Sequence, residues 1–167
     1  MPAPAEFSPP VPISADHDVS SFSCGVEALD VWLKQRAMKS EADRYARTYV
    51  VCREAAVVGY YALVMGSVLR SATSSKLRRN APDPIPVIIL ARLAVDTRYM
   101  GHAIGAGLLK DALSRSLQAS GLVGARAVLV HAISPEAVSF YARFGFAEFP
   151  SGSQTLFLPI ESIAAAL

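Results

Sequence analysis

The residues best suited to chemistry lie between Leu90 and Lys110, where the chain reads L-A-R-L-A-V-D-T-R-Y-M-G-H-A-I-G-A-G-L-L-K. Small side chains stand at 101, 103, 105, 106 and 107, after a polar turn holding Asp96, Thr97, Arg98 and Tyr99. From Ala103 onward, Ile104, Leu108, Leu109 and Ala112 recur at helical spacing. A strand, a small-residue turn and a helix start leave backbone N–H groups unpaired, and the helix dipole adds partial positive charge there. The chemistry of such a spot is anion capture, with phosphate the usual occupant. A second feature is basic. Residues 34–79 hold ten basic and three acidic side chains, a local balance of +7, whereas the rest of the chain carries −5. Lys34, Arg36, Lys39, Arg44, Arg47, Arg78 and Arg79 are the candidate phosphate contacts, and the asymmetry points to a polyanion. The plainer reading of the same run is a solvated helix face followed by a charged loop.

The elements that position these residues follow from periodicity. Val26, Leu29, Leu33 and Ala37 predict one amphipathic helix, with Trp32 widening its apolar stripe. Thr48 to Cys52 reads as a strand, Arg53 to Ala56 as a hairpin turn, and Val57 to Leu69 as a long apolar strand central in its sheet. Residues 70–86 have loop composition. A buried strand over 87–95 leads into the anion cradle, with Arg92 inside it, and a helix over 103–120 stops at Gly121. Ala125 to His131 is the next strand. Ser134-Pro135-Glu136 is then a helix start with proline at the first position, and that helix ends at Gly145, with Phe140 and Phe144 suited to its core face. Phe146–Phe149 and Thr155–Leu158 form a closing hairpin. The alternation predicts an α/β (α+β) fold with a mixed sheet.

Composition sets the bounds. The chain has 167 residues, 52% hydrophobic and 18% charged, which is enough to bury a substantial core and excludes wholesale disorder. The expected layout is a flexible, proline-rich lead-in over 1–15 and a single domain over 16–167. The longest uncharged stretch, Ala55 to Leu69, falls short of the roughly 20 residues that span a bilayer. The first twelve residues lack the pattern of a signal peptide. Cys24 and Cys52 have no metal-ligand spacing, so no metal is expected and a reducing cytoplasm is the default.

The stretch from L-A-V-D to the small-residue turn resembles the acetyl-CoA loop of the GNAT N-acetyltransferases, whose core pattern is Q/R-x-x-G-x-G/A. Anchored on the strand, the pattern falls on Met100, Gly101, His102, Ala103, Ile104 and Gly105, with Met100 and Ala103 departing from it. Arg98-x-x-Gly101-x-Ala103 fits the letters two residues early. S-P-E-A-V-S-F-Y-A-R-F-G-F resembles the family's C-terminal signature, with Ser134 where many members have Asn. The resemblance implies a sheet splayed at the acetyl-CoA cleft. It also implies a cofactor-binding set of Leu93, Ala94, Val95, Met100, Gly101, His102, Ala103, Ile104, Gly105 and Ser134, and a catalytic tyrosine at Tyr141 that protonates the departing thiolate. F-S-C-G-V-E-A-L-D-V-W-L-K-Q-R-A, A-R-T-Y-V-V, G-Y-Y-A-L and Q-T-L-F-L-P-I extend the likeness over residues 16–160, to the GNAT toxins of type II toxin–antitoxin pairs.

That likeness implies acetylation of the α-amino group carried on charged tRNA, which blocks translation. It further implies neutralisation by a cognate ribbon-helix-helix antitoxin, contact with operator DNA only through that antitoxin, and no membrane partner. It leaves a homodimer open. Two sequence features agree. The basic region, with Arg92 beside the cradle, offers RNA backbone contacts. No carboxylate or histidine stands out as a general base, and an α-amino group titrates at roughly 7.7–8.0 against about 10.4 for lysine, so much of it is neutral unaided. His102 and His131 are candidate proton relays. The alternatives are a GNAT enzyme acting on a small amine or a protein N-terminus, and a catalytically degenerate GNAT-fold binding module.

Overall fold

The computed structural model describes residues 6–166. Among them the strands are β1 (Val11–Pro12), β2 (Arg47–Arg53), β3 (Ala56–Val68), β4 (Ile85–Val95), β5 (Ala127–His131), β6 (Ala147–Glu148) and β7 (Thr155–Pro159). The helices are α1 (Glu27–Gln35), α2 (Ala37–Ala42), α3 (Ser75–Arg78), α4 (Ile104–Ser120), α5 (Pro135–Ala142) and α6 (Ile160–Ala166). The strands form a seven-stranded mixed sheet in the order β1-β2-β3-β4-β5-β7-β6. Strands β4 and β5 run parallel, while β2–β3, β5–β7 and β6–β7 are antiparallel. This is the expected α/β architecture, and β3 lies inside the sheet as its apolar run predicts. Two compact units can be told apart within the chain. One holds residues up to Leu63 with Arg92–Ala112, the other Val64–Ala91 with the residues from Leu113 onward.

In the first unit the pleat of β3 sorts its neighbours. Gly59 faces α4, and a Cβ built there would stand 2.9 Å from Ile104 Cγ2 and 3.0 Å from Leu108 Cδ1. The absent side chain is what lets α4 lie so close. Tyr61 points the same way, its hydroxyl donating to Asp111 Oδ2 at 2.5 Å. Tyr60 points oppositely, into a cluster with Phe22, Leu33, Ala37, Val50, Val57 and Ala94, against which Trp32 packs. Its hydroxyl donates to the Leu29 carbonyl of α1 at 2.7 Å. The single helix expected from Val26 to Ala37 is two, because Arg36 leaves helical geometry at φ −123°.

The expectation of a loose lead-in does not hold for residues 8–13. Ser8 N–H donates to the Cys52 carbonyl at 2.8 Å, and Cys52 N–H returns to Ser8 Oγ at 2.9 Å. Val11 and Pro12 pair antiparallel with Val50 and Tyr49. Proline is tolerated here because a sheet edge does not need its missing N–H. Residues 1–5 of the expected lead-in lie outside the described residues.

In the second unit the core gathers Leu77, Ile85, Val87, Ala127, Leu129 and Phe157. The supposed loop over 70–86 contains α3, anchored by buried Leu77, and the Arg70 N–H donates to the Asp83 carboxylate at 3.1 Å. One buried leucine in seventeen residues leaves no period to read. Helix α6 is likewise absent from the sequence expectation. Buried Ile163 seats it, and Glu161 accepts from Arg126 at 2.6 Å.

Candidate active site

In the first unit β4 delivers Leu93, Ala94 and Val95 to a turn that is tied down on both sides. Asp96 is fully buried. Its carboxylate accepts from Ser23 N–H at 3.1 Å, Arg98 N–H at 2.9 Å, and Arg98 Nε and Nη2 at 3.0 Å each. Burial pushes this carboxyl upward, but the Arg98 guanidinium and the backbone donors outweigh it and hold Asp96 below the usual carboxylate range. Asp96 is therefore a brace rather than a base. Thr97 N–H adds a bond to the Ser23 carbonyl at 2.9 Å. The chain then turns through two left-handed residues, Gly101 at φ +87° and Ala103 at φ +60°. Nothing lies within 4 Å of a Cβ built on Gly101, so the turn is open above it. The bond from Gly107 N–H to the Ala103 carbonyl, 3.1 Å, begins α4 and leaves the N–H groups of Ile104, Gly105 and Ala106 in its open first turn. Met100 and His102 are exposed. The His102 ring meets Phe7 edge-on at 5.5 Å, and Phe7 meets Tyr99 at 5.6 Å. Nothing in the proline-rich N-terminal sequence signals that Phe7 flanks this turn.

Besides Arg92, five candidate cations share this unit, all exposed: Lys34, Arg36, Lys39, Arg44 and Arg47. Two are engaged, Lys39 with Asp43 at 2.9 Å and Arg47 with Glu41. Lys34, Arg36 and Arg44 have no ion-pair partner among the described residues. Arg92 is half-buried, its guanidinium carbon 4.1 Å from the Trp32 ring centroid.

The second unit carries the remaining candidates. Tyr141, on α5, is 7% exposed and packed edge-on between Phe140 at 5.2 Å and Phe146 at 5.6 Å. Burial pushes its phenol up to about 12, so it stays protonated through the physiological range and suits an acid. Phe140 is only half-buried, and the core roles on this side fall to Tyr141 and Phe146, not to Phe140 and Phe144. Ser134 caps α5, its Oγ accepting from Ala137 N–H at 3.1 Å. His131 is exposed at the end of β5, with Nδ1 3.0 Å from Thr155 Oγ1. Arg78 and Arg79, at the end of α3, are exposed without an ion-pair partner among the described residues. The two cysteines offer no nucleophile, since burial pushes the Cys24 thiol up to about 11 and raises Cys52 as well. No helix of the described residues is long and apolar enough to cross a membrane.

The first unit thus holds a braced strand–turn–helix cradle, and the second a buried tyrosine that keeps its proton. Residues 44–148 match the acetyltransferase (GNAT) domain, and the chain belongs to that family of N-acetyltransferases. A tRNA-acetylating toxin of Mycobacterium tuberculosis is 43% identical to it over 161 residues, 96% of this chain and 97% of that protein. The solved structure of AtaT complexed with acetyl-methionyl-tRNAfMet superposes with a TM-score of 0.87 and 30% identity, covering 96% of this chain and 98% of that one. A tyrosine-to-phenylalanine mutant of the AtaT toxin, bound to the C-terminus of the antitoxin AtaR and acetyl-CoA, gives 0.81 and 30%, over 95% and 96%.

Proposed function

We propose that this chain is a toxin that transfers the acetyl group of acetyl-CoA to the α-amino group of the amino acid on charged tRNA, blocking translation in the cytoplasm until a cognate antitoxin neutralises it. The observation that carries this reading is the 43% identity to a tRNA-acetylating toxin, which runs through nearly the full length of both chains. Acetyl-CoA supplies the activated acetyl thioester. The open N–H groups at Ile104, Gly105 and Ala106 suit its pyrophosphate, and Gly101 keeps the approach clear. When the amine nitrogen bonds to the acetyl carbon, the carbon–sulfur bond breaks and the amine sheds a proton to water. Tyr141 donates its phenolic proton to the leaving thiolate and recovers one from solvent. Asp96 is committed to its brace, and an α-amine that is partly neutral near pH 7.7–8.0, roughly its own pKa, needs little help from a base. Lys34, Arg36, Arg44, Arg78 and Arg79 serve the RNA backbone.

The test offers labelled acetyl-CoA with charged tRNA, with deacylated tRNA and with protein and small amines. Label should enter only the charged tRNA and leave it as an acetylated amino acid when the ester is hydrolysed. Label in protein N-termini or small amines instead would replace this reading with the alternative acceptors.

A further inference from the structure

Arg92 differs from the other candidate cations in its setting. They stand in solvent, whereas it is half-buried and laid over Trp32, 4.1 Å from the ring centroid. Trp32 is in turn stacked on Tyr60, 6.0 Å away at an interplanar angle of 11°, and Phe22 meets Tyr60 edge-on at 5.6 Å. The Tyr60 hydroxyl is fastened to the α1 backbone. The platform beneath the guanidinium is therefore tied together by ring contacts and a hydrogen bond, and it is assembled from three separate segments. Among the described residues no carboxylate pairs with Arg92. Burial lowers its pKa, a sign that the charge is partly stripped of water. A cation desolvated without a counter-ion costs stability, and a ring face recovers only part of that cost. Such a group is kept where an anion completes it.

The pleat says which anion. Gly59 and Tyr61 face α4, while Tyr60, between them, faces α1. Trp32 lies on the α1 side, and so does the guanidinium covering it. The acetyl-CoA phosphate proposed for the start of α4 belongs to the helix on the opposite face and has backbone donors there. Arg36, exposed and without an ion-pair partner among the described residues, follows directly on the end of α1 and adds a second positive charge to this segment.

We propose that Arg92, held over the Trp32 ring, is the receptor for a phosphodiester at the acceptor end of the tRNA and so places the aminoacyl group for attack. Trp32 is then a positioning residue. This rests on charged tRNA being the acceptor. Acetylation of charged tRNA is followed against tRNA and salt concentration in the parent enzyme, Arg92→Gln, Arg92→Lys and Trp32→Leu, with acetyl-CoA binding measured alongside. Arg92→Gln should raise KM for charged tRNA at least tenfold, flatten the salt slope by about one phosphate contact, and leave acetyl-CoA affinity unchanged. Arg92→Lys should fall between, because it keeps the charge without the guanidinium's planar fork. Trp32→Leu should raise KM while keeping the parent salt slope, since the charge remains. Parent KM and slope in Arg92→Gln would overturn the proposal, as would a loss confined to acetyl-CoA binding. If Arg92→Gln does not fold, the KM of Arg92→Lys decides: a rise supports the receptor, and a parent value sinks it. A parent enzyme that leaves charged tRNA unlabelled removes the acceptor reading itself, an outcome distinct from all of these.

Discussion

Tyr141 carries a phenol whose removal from water makes it a better-kept proton, and its hydroxyl has no hydrogen bond among the described residues. Tyr141→Phe should therefore preserve packing and acetyl-CoA affinity while kcat falls by about 10²–10⁴, the usual loss for a positioned acid. A parent-like kcat in single-turnover assays would reduce the tyrosine to packing. Ala103 poses the opposite problem, an alanine at φ +60° where the family pattern has glycine. Left-handed geometry costs a non-glycine residue about 1 kcal/mol. Ala103→Gly should raise stability by less than or about that amount, because glycine also enlarges the unfolded ensemble, and acetyl-CoA affinity should hold. Thermal unfolding with calorimetric titration checks both halves.

Elements are placed by what touches them from afar. Helix α4 sits where it does because β3 presents Gly59 to Ile104 and Leu108. Gly59→Ala should destabilise by about 1–3 kcal/mol through overpacking and weaken acetyl-CoA binding, since the start of α4 must shift. A variant with parent melting temperature and parent affinity would mean that the helix is positioned by other contacts. The turn before α4 depends on Asp96, whose folded pKa is depressed. Its contribution is present above the unfolded pKa of about 3.9 and is lost as pH falls through the folded value, because the unfolded chain takes up the proton first. Asp96→Asn should remove that part of the acid-side loss. Denaturation midpoints between pH 6 and pH 3, in parent and variant, measure it.

At the scale of the whole molecule, the proposed function makes the charge asymmetry the guide for encounter with RNA. A +7 stretch on a chain of net +2 concentrates positive potential where the free cations Lys34, Arg36, Arg44, Arg78 and Arg79 stand. Reversing Arg78 and Arg79 together should raise KM for charged tRNA and flatten its salt dependence by about one to two phosphate contacts, with acetyl-CoA affinity unchanged. A salt slope identical to the parent's would move the RNA to another surface.

The local features were legible in the sequence because each is written in neighbouring residues: apolar runs or helical recurrence for the main strands and helices, small residues before α4 for the cradle, Ser134 and Pro135 for the start of α5. The same holds for the resemblance that pointed to Tyr141. Short or edge pieces escaped, as α3, α6 and the β1 strap bury too few side chains to make a period. Only the tertiary structure decided the state of the reactive groups. Asp96 became a brace by meeting Ser23, 73 positions away, and Tyr141 held its proton by burial between Phe140 and Phe146. Arg92 lost its carboxylate options and found a ring. Ionisation and desolvation depend on what surrounds a group in space, and residues far apart in sequence supply those surroundings.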